Sequence, residues 1–215
     1  MKTVLCYGDS NTWGAAVGPR ANTRYAADER WPGVLRAALG GGWTVIEEGL
    51  PGRTTVHPDP IEGHWLDGSA YLLPCLRSHR PLDLVVLALG TNDLKMRFSV
   101  SPGDIANGIG MLLTIIAKSE AGPNDGAPKA LVVCPAPILS HHGECPEFTD
   151  MFAGGHEKSL RLAPAVAAVA KENGAAFLNA GDVIQTSSFD GIHLEPDAQA
   201  KLGRAVAETI LRLGL

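Results

Sequence analysis

Thr3-Val4-Leu5-Cys6-Tyr7-Gly8-Asp9-Ser10 decides the fold of this 215-residue chain. A short apolar run, rich in residues that favour extended backbone, stops at a glycine, an aspartate and a serine. Such a run reads as a strand buried on both faces, and its turn leaves a hydroxyl at the strand's carboxyl end. Four more runs of the same kind follow at Thr44–Glu48, Leu82–Leu89, Ala130–Cys134 and Ala176–Asn179. Between them Trp31–Leu39, Ser69–Leu76, Asp104–Lys118 and Glu157–Glu172 carry apolar residues at three- and four-residue spacings, and Pro196–Leu213 closes the chain in the same style. Strand and helix alternate throughout, which predicts a three-layer α/β/α sandwich around a five-stranded parallel sheet. Asp28 before the first helical pattern, Pro102 in a first turn and Gly40-Gly41-Gly42 after Leu39 are helix start and stop signals.

No fixed-period repeat, low-complexity run or Ser/Gly linker divides the chain, so residues 1–215 are expected to form a single domain. Hydrophobic residues make up 45% and charged residues 19%, a globular composition with a sizeable core. The 18 basic and 23 acidic side chains leave a net charge of -5 and form no basic stripe, which argues against nucleic acid as a partner. Val4-Leu5-Cys6-Tyr7 is too short for a signal-peptide core or a membrane span, so the protein is expected to be soluble and to make no use of a membrane. Cys6, Cys75, Cys134 and Cys145 form no C-x-x-C pair and read as reduced thiols, which places the expected location in the cytoplasm.

In an open parallel sheet the reactive loops gather at the carboxyl ends of the strands. Gly8-Asp9-Ser10 follows strand one, Gly49-Leu50-Pro51-Gly52-Arg53 strand two, Gly90-Thr91-Asn92-Asp93 strand three, and Asp190-Gly191-Ile192-His193 lies beyond strand five. Each motif is weak alone, since a Gly-Asp-Ser turn also starts helices and an Asp three residues before a His recurs in loops. Together they supply a hydroxyl, an imidazole to take its proton and a carboxylate to orient the imidazole. Asp9 and Asp93 suit local turn and cap acceptors better than catalytic acids.

These four blocks, in this order, resemble the SGNH hydrolase family, also called the GDSL esterases and lipases, from strand one to the last helix. The resemblance implies a flavodoxin-like fold in which Ser10 is the nucleophile, His193 the base and Asp190 its orienting partner. It also implies an oxyanion hole made by the Ser10 N–H, the Gly52 N–H and the Asn92 side-chain amide. Asn11 departs from the leucine of the eponymous motif, at a position that does not react. The G-x-S-x-G elbow of α/β-hydrolases is absent around Ser10.

Gly8-Asp9-Ser10-Asn11-Thr12-Trp13-Gly14, Asp28-Glu29-Arg30-Trp31, Glu47-Glu48-Gly49 and Arg53-Thr54-Thr55 narrow the likeness to bacterial arylesterase-like members. What that subgroup implies is a small-molecule substrate that is a short-chain acyl ester or an aryl ester, water as acceptor, and acyl transfer to an alcohol or peroxide in some members. It also implies homo-oligomers, octamers among them, in which neighbours narrow the entrance. Two rival readings are a carbohydrate O-acetyl esterase and a non-catalytic flavodoxin-like module that cradles an anion on its Gly-Asp-Ser loop. Trp13 and Trp65 are candidates for the substrate pocket, with core packing the alternative. The connections Ala15–Ala27, Gly52–Gly68 and Ser140–Gly155 are long enough to shape a pocket or a subunit contact. No cofactor and no metal are expected. His141-His142-Gly143-Glu144-Cys145 lacks zinc spacing, and His57, His64, His79 and His156 read as ordinary polar loop or helix residues.

Overall fold

The computed structural model describes all 215 residues. Five parallel strands, β1 (Lys2–Gly8), β2 (Trp43–Gly49), β3 (Leu84–Ala88), β4 (Lys129–Cys134) and β5 (Ala176–Asn179), lie in the order β2-β1-β3-β4-β5. β1 is the hinge of this order. It pairs on one side with β2, Gly8 opposite Gly49, and on the other with β3, Gly8 opposite Ala88. The chain winds outward in one direction from β1 to β2 and in the other from β3 to β5. The loops at the carboxyl ends of β1 and β3 therefore part and leave a crevice there.

The strands read as unbroken apolar runs because each feeds two cores. With a period of two, Leu5, Tyr7, Val85, Leu87 and Val132 point into a cluster beneath α3 (Gly68–His79), α4 (Pro102–Ala117) and α7 (Leu162–Glu172). Val4, Cys6, Leu84, Val86, Leu131 and Val133 point the other way, beneath α2 (Trp31–Leu39) and α8 (Pro196–Arg212). Leu5 and Leu87 are fully buried, and shortening either to alanine would cost ~2–5 kcal/mol. Three short helices complete the fold: α1 (Ser10–Trp13), α5 (Glu147–Met151) and α6 (Gly155–Ser159). No helix is long and apolar enough to cross a membrane.

Three expectations need correction. The helix expected over Glu157–Glu172 is two, α6 and α7, because Pro164 has no N–H for the Leu160 carbonyl and its ring would strike that oxygen. In α7 the proline falls in the first turn, where its missing donor has no intrahelical use. Asp28 does not cap α2. The N-cap is Arg30, and the first free donor, Trp31 N–H, reaches Gln199 Oε1 of α8 at 2.8 Å. β3 is shorter than Leu82–Leu89, since Leu82 N–H leaves the ladder for the Ala121 carbonyl at 2.8 Å. Elsewhere the signals act as read: Gly40 ends α2 at φ +68°, and Pro102 opens α4 behind a Ser101–Asp104 capping box.

Candidate active site

The end of β1 is built for close approach. A Cβ on Gly8 would stand 2.0 Å from Thr12 Oγ1 and 2.9 Å from the Ala88 carbonyl, so only glycine lets the strand turn there. Asp9 then caps α1, its Oδ1 accepting from Asn11 N–H at 2.9 Å, which sets Ser10 as the first helical residue. Burial pushes the Asp9 carboxyl up to about 6, against the pull of the Asn11 N–H, His193 and Arg53. The other end of the chain returns through a tight loop. Gly191 adopts φ +74°, and a Cβ there would lie 2.6 Å from the His141 carbonyl.

That loop fixes a directed relay. Asp190 Oδ1 accepts from the Ile192 and His193 N–H groups, each at 2.9 Å, and Oδ2 accepts from His193 Nδ1 at 2.6 Å. With its proton on Nδ1, the imidazole offers the Nε2 lone pair to Ser10, whose Oγ is 2.9 Å away. Asp190 is almost fully buried. Burial alone would raise its carboxyl, but the His193 contact and the two backbone donors outweigh it and hold the group below the usual carboxylate value. From behind, His142 Nδ1–H donates to the Asp190 carbonyl at 2.9 Å.

Gly52 and Asn92 come from the ends of β2 and β3 and share one cavity of about 330 Å³ with Ser10 and His193. Gly52 takes φ +84°, which turns its backbone in a way a side chain would resist. One Asn92 Nδ2 hydrogen goes to the Arg53 carbonyl at 3.1 Å, which orients the amide. Arg53 is itself buried without a carboxylate. Its guanidinium donates to the Gly8 carbonyl at 2.8 Å and to the Glu48 carbonyl, and lies 4.0 Å over the Tyr7 ring. Asp93 is fully buried and accepts from Thr55 N–H and Oγ1, tying the Gly52 loop to the end of β3; burial raises its carboxyl against those donors.

The remaining walls come from residues the sequence reading did not name. Phe148, Met151 and Phe152 of the Ser140–Gly155 connection form an apolar side, with the Phe148 and Phe152 rings edge to face at 5.9 Å. Glu62 and Lys95, joined at 2.8 Å, also line the cavity, and Asp59 and Arg97 complete a four-charge network with them. A phenylalanine pair four residues apart in a long connection was the available signal. Trp13 and Trp65 are not among the lining residues. Trp13 sits under the Arg24 guanidinium at 5.1 Å, and Trp65 is 71% exposed.

The arrangement can move a proton from a serine hydroxyl to an imidazole beside a partly apolar cavity, which is the chemistry of acyl transfer. Comparison with known proteins agrees. The GDSL-like lipase/acylhydrolase family matches residues 6–201. Among solved structures, Est24, a carbohydrate acetylesterase from Sinorhizobium meliloti, is 42% identical with a TM-score of 0.94, over 99% of this chain and 100% of that one. The aryl esterase of M. smegmatis, in its inhibitor-bound form, is also 42% identical, with a TM-score of 0.92 over 99% of this chain and 100% of that one. A comparison with curated protein sequences found no match. A family match running from β1 into α8, over a backbone shared end to end with such relatives, makes this chain a member of the GDSL-like lipase/acylhydrolase family.

Proposed function

We propose that this carboxylic ester hydrolase works through an acyl-enzyme on Ser10, with His193 as base and then acid, and Asp190 holding the imidazole. The observation that carries the reading is the unbroken relay from Ser10 Oγ to His193 Nε2 at 2.9 Å and from His193 Nδ1 to Asp190 Oδ2 at 2.6 Å. Ser10 Oγ attacks the ester carbonyl carbon as its proton passes to Nε2. The carbonyl oxygen becomes an oxyanion held by the Ser10 and Gly52 N–H groups and the second Asn92 Nδ2 hydrogen. Collapse expels the alcohol, which takes the proton from His193. Water then enters, gives a proton to Nε2, and releases the acid by the same path.

The size of the cavity and its phenylalanine wall support short acyl or aryl esters as substrates. Transfer to an alcohol or peroxide follows where Phe148, Met151 and Phe152 favour that acceptor over water. Carbohydrate O-acetyl esters are a second reading, supported by the Glu62–Lys95 side of the cavity, which offers a carboxylate and an ammonium to sugar hydroxyls. Ile61 and Trp65, 74% and 71% exposed on the connection beside the entrance, support a homo-oligomer, which light scattering in solution checks. The four free cysteines support a reducing, cytoplasmic location.

Ser10→Ala tests the reaction. It should fold as wild type, lose all but a residual ester turnover, and take up no organophosphonate. Wild-type turnover in this variant would overturn the mechanism. A panel of 4-nitrophenyl esters and acetylated sugars, with alcohol present and products analysed, ranks the substrate readings.

A further inference from the structure

On the far side of the Arg53 turn, three side chains that the ester chemistry does not use converge. Cys75 and His79 stand four residues apart on one face of α3, and Glu48 reaches them from the end of β2. Their ligand atoms lie within 4.8 Å of one another, and His79 Nε2–H already donates to Glu48 Oε1 at 2.8 Å. Cys75 is buried, while His79 and Glu48 keep about a third and a fifth of their side-chain surface in solvent, so an ion has a way in.

We propose that Glu48, Cys75 and His79 form a site for a single zinc-class divalent cation, separate from the reacting atoms. The donor set is one thiolate, one imidazole and one carboxylate, the mixture that a borderline-soft ion takes and that magnesium or calcium does not. Around a tetrahedral ion, donors of these types stand roughly 3.3–3.7 Å apart. Closing the triangle therefore asks the thiol to draw in by no more than about an ångström and the Glu48–His79 pair to open by less, movements within the reach of side-chain rotation. His79 gives up its Nε2 proton to solvent and takes one at Nδ1, so that Nε2 is free to bind the ion. The Cys75 thiol gives its proton to solvent as the sulfur–metal bond forms, and water fills the fourth position. Thiolate and carboxylate together balance the dication. The nearby Arg53 guanidinium is held by the Gly8 and Glu48 carbonyls and the Tyr7 ring.

Metal-free, reduced protein titrated with Co²⁺ gives the test, with Zn²⁺ as competitor. The expected result is a near-ultraviolet thiolate-to-cobalt band that saturates at one equivalent and is erased by Zn²⁺. Cys75→Ser should lose the band, and His79→Gln, a change at a side chain about a third exposed, should weaken binding by more than the ~10–100-fold that loss of an outer-shell partner costs, because a ligand itself is gone. Cys145→Ser, which alters the cysteine beside His141 and His142, should leave the titration unchanged. No band in the wild type would overturn the proposal. So would a band that persists in Cys75→Ser, is indifferent to His79→Gln, or disappears in Cys145→Ser. Should Cys75→Ser fail to fold, as near-ultraviolet circular dichroism would show, the His79→Gln and Cys145→Ser titrations decide.

Discussion

Truncating Asn92 to alanine separates catalysis from structure more cleanly than any other change at this site. The amide carries two Nδ2 hydrogens. One is bound to the Arg53 carbonyl at 3.1 Å, and the other is free for the cavity that also holds Ser10 and Gly52. Removing one of three donors to an oxyanion costs ~3 kcal/mol of barrier, or ~10²–10³-fold in kcat. Stability loses the single Arg53 contact, ~1 kcal/mol, a fall in Tm of about 2–4 °C for a chain of this size. With a 4-nitrophenyl acetate assay, kcat and kcat/KM should fall together while KM holds, because the donor acts only once charge develops. One organophosphonate should still attach per chain, showing that Ser10 and His193 are intact. Asn92→Asp should be worse than Asn92→Ala, since an ionised carboxylate faces both the Arg53 carbonyl and the developing oxyanion with acceptors alone. A loss under about tenfold in folded Asn92→Ala, or an aspartate variant more active than the alanine one, would remove Asn92 from the oxyanion hole.

Asp190→Asn keeps the shape of the loop but presents an amide to His193, which favours the wrong tautomer; turnover at neutral pH should fall ~10⁴-fold, and a loss under about tenfold would show that the carboxylate does not set the tautomer. Asp9 is the pH-sensitive group of the nucleophile turn. Its carboxyl is lifted from 3.8 to about 6, so the folded chain keeps a proton that the unfolded chain has lost, and stability falls as pH rises through that window. The fall is about 3 kcal/mol, and Asp9→Asn, which keeps the acceptor for Asn11 N–H, should abolish it; equal urea-midpoint slopes between about pH 4 and about pH 7 in the two proteins would refute this. Asp190 acts in the opposite sense and a different range: held below 3.8, it contributes stability above that value and loses it as pH falls through its folded value. Phe148→Ala opens the apolar wall and should raise the hexanoate-to-acetate ratio of kcat/KM about tenfold, while an unchanged ratio would place the acyl chain elsewhere.

How much of this could be read beforehand depends on what a residue bonds to. The strands were legible because a side chain every second residue feeds each core, so burial on both faces writes an apolar run into the chain at Val4–Tyr7 and Leu84–Ala88. Ser10, Asp190 and His193 were legible because each meets another side chain of fixed chemistry, and Gly52 because its φ of +84° suits glycine. The helix break before Pro164 was legible too, but the three- and four-residue apolar spacing continues across it and masked the missing donor.

The supports of the site were hidden for a different reason. His142 holds the Asp190 carbonyl, Arg53 holds the Gly8 and Glu48 carbonyls, and Gln199 caps the Trp31 N–H from 168 residues away. Every residue has a carbonyl and nearly every one an N–H, so a side chain that binds backbone has no partner type for a sequence pattern to name. Reacting groups must find particular side chains, whereas positioning groups need only find the chain itself at the right point in space. The first requirement survives in sequence as motif and spacing. The second exists only once β1, β2 and β3 are in register, so the residues that hold this site steady become visible in the fold and not before.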